Sequence, residues 1–272
     1  MKNPIQMFCI TLNPNHLQKI KSLNYLPVGL GDKKFSKEWY QDNINENISK
    51  KNEYYGEYTF HYWLWKNYLN KLEDGWIGFC QYRKFFVKEK TSIKINEIES
   101  LAKYVLQDIP EDFEKYDVIL GDEFKVNKLK ISKFIKRDLK KILTNPSLLF
   151  DKNKRNLKFH FDMWHGNGNL DKAISLLTNE DKKHFNDFVN NNTSFNPHNM
   201  FICKSKMIIQ NYYNTIFPWL QKCEDIFGFN KNADYGGKRM YGFLAERFLS
   251  YWFQKNTKFK TLPILGLDIN NL

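Results

Sequence analysis

Apolar positions in this chain fall into short runs separated by polar, turn-rich stretches. Gln6–Leu12 (QMFCITL) is closed by Asn-Pro-Asn, the pattern of a buried strand ending in a turn. Tyr25–Asp32 (YLPVGLGD) predicts a second short strand or loop with two glycines. Gly75–Tyr82 (GWIGFCQY) carries the strongest strand pattern, with turn residues before it and Arg83-Lys84 after it. Tyr116–Leu120 predicts a buried strand ended by Gly121-Asp122-Glu123, Asn199–Cys203 another, and Thr261–Leu265 the last. Between them, Gln41–Asn52 is polar and asparagine-rich and predicts a loop. Ser49 or Asn52 would cap a helix from about Glu53 to Asn70. That helix is aromatic on nearly every side, so it should be buried. Ile93–Gln107, Lys125–Leu143 (strongly basic), Ser205–Ile226 and Lys238–Asn256 have helical spacing, and Asp171–Val189 predicts a polar helix or helix pair. Phe159–Asn169 is rich in Gly and Asn at its end and reads as a loop.

Strands alternating with helices predict an α/β fold, a sheet with helices on both faces. In such sheets ligands bind beyond the carboxyl ends of the strands. Polar residues just after QMFCITL, WIGFC, YDVIL and NMFIC should therefore converge. No repeat or linker divides the chain. It reads as one domain, 1–272, with a first half over 1–124, a basic helical insertion over 125–158 and a second half over 159–272.

Composition narrows this picture. The 272 residues are 42% hydrophobic, 26% charged and 17% aromatic, enough for a large core. Mean hydropathy is −0.61, and no apolar run approaches the roughly 20 residues of a spanning helix. Met1–Pro4 leads into a strand-like run and does not open a signal peptide. Cys9, Cys80, Cys203 and Cys223 lack CxxC spacing, as expected of reduced, buried thiols in a cytoplasmic protein. The formal charge of +12 suits an anionic partner: nucleic acid, a membrane surface or a phosphorylated substrate. The same excess of Lys over Arg also follows from an AT-rich genome.

Several chemistries are excluded. There is no GxxxxGK[ST], no GxGxxG after the first strand, no HExxH, no zinc-like Cys/His grouping, no GxSxG and no Asp-x-Asp. Five groupings remain. Glu57 and His61 lie one turn apart, as a hydrogen-bond brace or as a wall of a sugar or nucleotide site. Gln81-Tyr82-Arg83-Lys84 puts two cations at a strand end, for a salt bridge or for phosphate. His160, Asp162 and His165 offer a general base or a weak metal site. His198-Asn199 precede a buried strand. Glu246-Arg247 lie within an apolar helix and should point different ways. There the carboxylate is either neutralised structurally or poised for chemistry.

Taken in order, VGLGDKKF, DNINENISKKNEYYGEYTFHYWLWKN, WIGFCQYRKFF, NMFICKSK and YGFLAERFL with a terminal LPI resemble a bacterial family first catalogued as a domain of unknown function. That family occurs in capsular and exopolysaccharide gene clusters. Its members are treated as glycosyltransferases, some of them linked to galactofuranose or galactose transfer. Asp42, Asn47, Ile48, Ser49 and Asn52 match its first block, and Glu57, Thr59, Tyr62, Trp63, Trp65, Lys66 and Asn67 its helix. Gly78, Tyr82, Arg83 and Phe86 match its strand end; Asn199, Met200, Phe201, Gly242, Glu246 and Arg247 match its late blocks. Gln81 stands where the family tends to have His, Lys84 where it tends to have Arg, and Asn45-Glu46 replaces Gly-Asp.

The resemblance implies a GT-A-like fold: a central mixed, mostly parallel sheet flanked by helices, with a nucleotide-sugar-binding first half and an acceptor-binding second half. It implies transfer of a hexose from a UDP-sugar to a hydroxyl of a surface polysaccharide or lipid-linked glycan. The expected donor contacts are Thr11, Asn13, Asn47, Ser49, Asn52, Glu57, Tyr82, Arg83 and Lys84, with Arg83 stabilising the diphosphate. Glu246, or His165 as second choice, would be the base, and His198, Asn199 and Arg247 would meet the acceptor. No metal is expected, with Asp122 and Glu123 the second choice for Mn²⁺ or Mg²⁺. Peripheral contact with the anionic inner membrane face is expected from the charge, and no nucleic-acid partner. The rival readings are a basic nucleic-acid-binding protein and a non-catalytic sugar-binding relative.

Overall fold

A computed structural model describes residues 3–90, 94–137 and 139–272. Met1-Lys2 and Ile93, the start of the helix expected over 93–107, lie outside the described residues.

The strands are β1 (Asn3–Thr11), β2 (Leu26–Gly29), β3 (Tyr40–Gln41), β4 (Trp76–Gln81), β5 (Lys84–Phe86) and β6 (Asp108–Ile109). There follow β7 (Val118–Gly121), β8 (Phe124–Lys125), β9 (Ser194–Phe195), β10 (Phe201–Cys203), β11 (Phe259–Leu262) and β12 (Ile264–Gly266). The helices begin with α1 (Leu17–Ser22), α2 (Asn52–Tyr55), α3 (Tyr58–Asn67), α4 (Ile98–Ala102), α5 (Ile131–Arg137), α6 (Leu139–Thr144) and α7 (Ser147–Phe150). They continue with α8 (Leu157–His165), α9 (Asn169–Ser175), α10 (Asn179–Asn191), α11 (Lys206–Phe227), α12 (Tyr235–Lys238) and α13 (Met240–Asn256).

The chain divides into two compact units. The first comprises Met1–Asp122, His198–Thr215 and Phe253–Leu272, the second Glu123–Pro197 and Ile216–Trp252. The first holds the mixed sheet, in the order β11-β7-β10-β4-β1-β2-β3. Every neighbouring pair on this path is parallel except the two made by β10. The α/β class with a mostly parallel central sheet is thus as the alternation predicted.

Side-chain alternation along β1 explains both faces of the sheet. Met7 and Cys9 join a cluster with Ile20, Leu101, Leu106 and Ile119 beneath α1 and α4. On the opposite face Phe8 lies against Phe60 and Phe79, and Phe201 against Tyr212 and Phe253, so the aromatic run of α3 is core. Two glycines are required by this packing. A Cβ on Gly29 would lie 2.4 Å from the Phe35 ring. Gly56 has φ 58°, a backbone conformation that ends α2.

The second unit is helical, with a two-stranded ribbon of β8 and β9. Phe134, Ile142 and Leu148 pack there on Phe159 and Met163.

Several sequence expectations are corrected. The single helix over 53–70 is two, because Gly56 turns the chain between them. Neither Ser49 nor Asn52 caps it: Asn52 donates instead to the Gly56 carbonyl (3.0 Å) and Thr59 Oγ1 (3.2 Å). Among the described residues of the helix expected over 93–107, only Ile98–Ala102 is an α-helix. The stretch read as a loop from Phe159 is α8, capped by Asn156, whose Oδ1 accepts from the Phe159 amide at 2.8 Å. The last strand is interrupted at Pro263, which has no N–H to give to a ladder.

Candidate functional site

The parallel strands bring their carboxyl ends to one edge of the first unit. Thr11 pairs with Gly29, Gly29 with Gln41, and Ile10 with Gln81. The fourth expected contributor enters in the other direction. Because β10 is antiparallel, with Phe201 opposite Phe79, the residues before it reach this edge: His198 and Asn199, not the residues after Cys203. Strand direction is a tertiary property that local pattern does not encode.

Gln81 organises this edge. Its amide donates to the Glu57 carboxylate and to the His198 carbonyl (2.9 Å). Glu57 stands at the N-cap of α3, where the Gly56 turn aims it at β4. Glu57 and His61, one turn apart, turn to different partners. His61 is buried among Phe79 and Phe201, with Nδ1 2.6 Å from the Tyr213 hydroxyl, and burial pushes its pKa down to about 3.

Tyr82 and Arg83 form the turn of a tight β4–β5 hairpin, in which Gln81 pairs with Lys84. Arg83 is exposed, with its guanidinium 5.3 Å from the Tyr82 ring centre. Lys84 is half-buried and its Nζ lies 3.0 Å from His198 Nε2. Burial first, then the Lys84 and Arg83 charges, lowers the His198 pKa to about 4, so the imidazole is neutral and accepts from the ammonium. His198 and Asn199 both have positive φ (78° and 54°). Two adjacent non-glycine residues in that region carry strain of the kind that persists where the surroundings fix it. Both His198→Val and His198→Gly lose the Lys84 contact, so the strain shows in their difference: the valine variant should be less stable than the glycine variant by roughly 1–2 kcal/mol, measured by urea unfolding. Equal losses would remove the strain argument.

Thr11 and Asn13, at the end of β1, meet a second network. Thr11 is buried, and its hydroxyl lies 2.8 Å from His16 Nδ1. His16 Nε2 lies 2.7 Å from Asn270 Oδ1, and Asn13 donates to that same oxygen at 3.1 Å. Burial lowers the His16 pKa. The imidazole is therefore a fixed neutral bridge between Thr11 and Asn270, and its ring lies 5.2 Å from the half-buried Tyr82 ring.

The asparagine-rich loop is tied down by α3. Trp63 Nε1 donates to the Ile44 carbonyl (3.0 Å), Asn67 to the Glu46 carbonyl (2.7 Å), and the Tyr62 hydroxyl to the Glu46 carboxylate (2.9 Å). Lys66 lies 3.4 Å from that carboxylate and 4.2 Å from the Trp65 ring centre. Within the loop, Asn47 Oδ1 accepts from the Ser49 amide and hydroxyl, closing an Asx turn. The YWLWKN side chains thus hold the loop beside the edge.

Asp42, directly after β3, was not among the expected donor contacts. It is 1% exposed, its Oδ2 has no hydrogen-bond partner, and burial, opposed by the Thr59 hydroxyl, raises its pKa to about 6. A carboxylate following a short polar strand gave no sequence signal beyond the family resemblance.

Residues 7–257 match the family model described as Domain of unknown function (DUF4422). The chain belongs to that family. The DUF4422 fold seen here is similar to the apo structure of the bifunctional glycosyltransferase WbbM, with TM-score 0.65 and 19% identity over 97% of this chain. The chain covers 45% of WbbM. No curated protein matches the sequence.

The other expected residues of this DUF4422 chain lie in the second unit or at its border. Glu246 and Arg247 do not point apart. Both are buried, and Arg247 Nη1 donates to Glu246 Oε2. The guanidinium also stacks 4.0 Å from the Phe195 ring centre and approaches His160 Nδ1 at 3.1 Å. His165 is stacked on Phe243 (4.1 Å), with Nδ1 3.1 Å from the Gly236 carbonyl, and burial lowers its pKa to about 3. Asp122 lies 3.4 Å from Lys90, and Glu123 accepts from Ser194 Oγ at 2.8 Å. Among the described residues no three His, Cys, Asp or Glu side chains group as metal ligands.

Proposed function

We propose that this chain is a glycosyltransferase that moves a hexose, of galactose or galactofuranose type, from a UDP-sugar to a hydroxyl of a surface polysaccharide or its lipid-linked precursor. The observation that carries the reading is the Gln81 junction, which joins Glu57, His198 and, through His198, Lys84 at the carboxyl edge of a sheet whose fold resembles a glycosyltransferase's. Such an edge is where open α/β sheets bind nucleotides.

In this reading Lys84, with Arg83 at the hairpin tip, meets the diphosphate. As the anomeric C–O bond breaks, its electron pair leaves on phosphate oxygen, and fixed cations there favour the departing charge. Asn13 and the Tyr82 ring meet the nucleoside. The acceptor oxygen forms the new bond to the anomeric carbon. For an inverting transfer its proton passes to Glu57, the half-buried carboxylate held by the Gln81 amide. Glu246, committed to Arg247, and His165, with its depressed pKa, are poorer proton acceptors.

The test is UDP release from UDP-galactose and UDP-galactofuranose with a glycan acceptor, alongside thermal shifts with UDP, GDP, dTDP and CMP, each with and without Mn²⁺. UDP should stabilise the protein most. Lys84→Ala should lower turnover roughly 10- to 100-fold, as expected for losing a hydrogen bond to a charged group. Glu57→Gln should lower turnover with UDP binding unchanged. No response to any nucleotide would overturn the reading.

A further inference from the structure

The formal charge of +12 is not spread along the chain. Residues 125–158 hold ten Lys and two Arg against two Asp, a net +10, which leaves +2 for everything else. A compositional bias of the genome would raise lysine throughout and does not explain this concentration.

The same segment exposes apolar side chains. Its inner face is satisfied by Phe134, Ile142 and Leu148. Its outer face carries Leu139 and Leu143 one turn apart on α6, 52% and 69% exposed, with Ile135 (36%) on α5 and Phe150 (85%) at the end of α7. Exposed Lys130, Lys133, Lys136, Lys152 and Lys154 lie in the same stretch of chain. Large apolar side chains held in water beside lysines form the two halves of an interfacial membrane anchor.

We propose that this face docks on an anionic lipid bilayer, with Leu139, Leu143 and Phe150 entering the headgroup boundary and the lysines meeting lipid phosphates. The contact proposed is a peripheral one; among the described residues no helix is long and apolar enough to cross a membrane. Nucleic acid suits the face less well. Single strands are held by stacked aromatics and arginine, and only Phe150 among these exposed side chains is aromatic. Both arginines are engaged elsewhere: Arg137 with the Met163 and Trp164 carbonyls and Asp234, and the buried Arg155 with the Leu129 carbonyl.

Vesicle flotation of the full chain tests this without reference to transfer activity. The protein should float with phosphatidylcholine vesicles containing phosphatidylglycerol, not with phosphatidylcholine alone, and high salt should release it. Lys133→Gln with Lys136→Gln should weaken partitioning roughly thirtyfold, about fivefold for each lysine. Leu139→Ser, Leu143→Ser and Phe150→Ser together replace exposed groups only, so circular dichroism should be unchanged while flotation falls at least as far. Absence from anionic vesicles would overturn the proposal, as would wild-type flotation of the triple serine variant. Oligonucleotide binding that needs the same lysines and displaces the vesicles would overturn it in favour of a nucleic-acid surface.

Discussion

Glu246→Ala should destabilise the second unit by about 3–5 kcal/mol, the cost of leaving a buried charge without its partner. Arg247 is 2% exposed and its carboxylate partner is Glu246. The remaining surroundings are poor substitutes: the Phe195 face, the Phe161 ring at 5.8 Å and a neutral His160. Its Nε is already buried without a partner. Burial opposes the guanidinium charge and the Glu246 carboxylate supports it. Replacing both residues with Met should be nearly neutral, because two well-packed apolar groups need no ion pair. Urea unfolding followed by tryptophan fluorescence measures both variants. If Glu246→Ala unfolds like the wild type yet loses turnover, the carboxylate belongs to the chemistry and not to the frame.

Asp42→Asn should stabilise the protein, with a gain that sets in above about pH 4 and is complete above about pH 6. An unfolded carboxyl releases its proton near 3.8, whereas Asp42 in the folded chain holds its proton to about 6. Between those values the folded chain binds more protons than the unfolded one, so stability falls as pH rises. The full penalty of roughly 3 kcal/mol applies above the folded pKa. An asparagine has no charge to bury. The gain in melting temperature should therefore be clear at pH 7.5 and absent at pH 3.5. An equal gain at both would show that ionisation is not the cause. A carboxylate that costs stability at neutral pH, at the edge where Gln81 and Thr11 also end their strands, fits the pattern of sites that sacrifice stability for function.

What was legible in the chain was mostly what depends on near neighbours. QMFCITL, WIGFCQ and VILG are apolar runs bounded by turn residues, and all three are strands of the central sheet. The aromatic stretch after Gly56 is core, as its composition required. The Gly56 break was present in the sequence, but the continuous aromatic run outweighed it. Helix α8 was missed because the Gly-Asn signals at its end dominated, although Asn156 offered a cap at its start. The site was only half legible. Lys84 and Glu57 were among the expected residues, but the junction near both is made by Gln81, which binds both Glu57 and the chain entering β10. Nothing local announces that contact across 117 residues. The Glu246–Arg247 pair was misjudged for a related reason. Neighbours on a helix diverge at their Cα atoms, yet long side chains curl together when nothing else in the interior can answer their charge.

The tethers from α3 to the Ile44–Glu46 segment bear on how a donor would be received. A loop left free must surrender its backbone freedom when a ligand arrives, and that loss subtracts from affinity. Here Trp63, Asn67 and Tyr62 have already imposed that order during folding. Association at this edge should accordingly proceed as lock-and-key docking, with a small heat-capacity change and an on-rate unhindered by loop rearrangement.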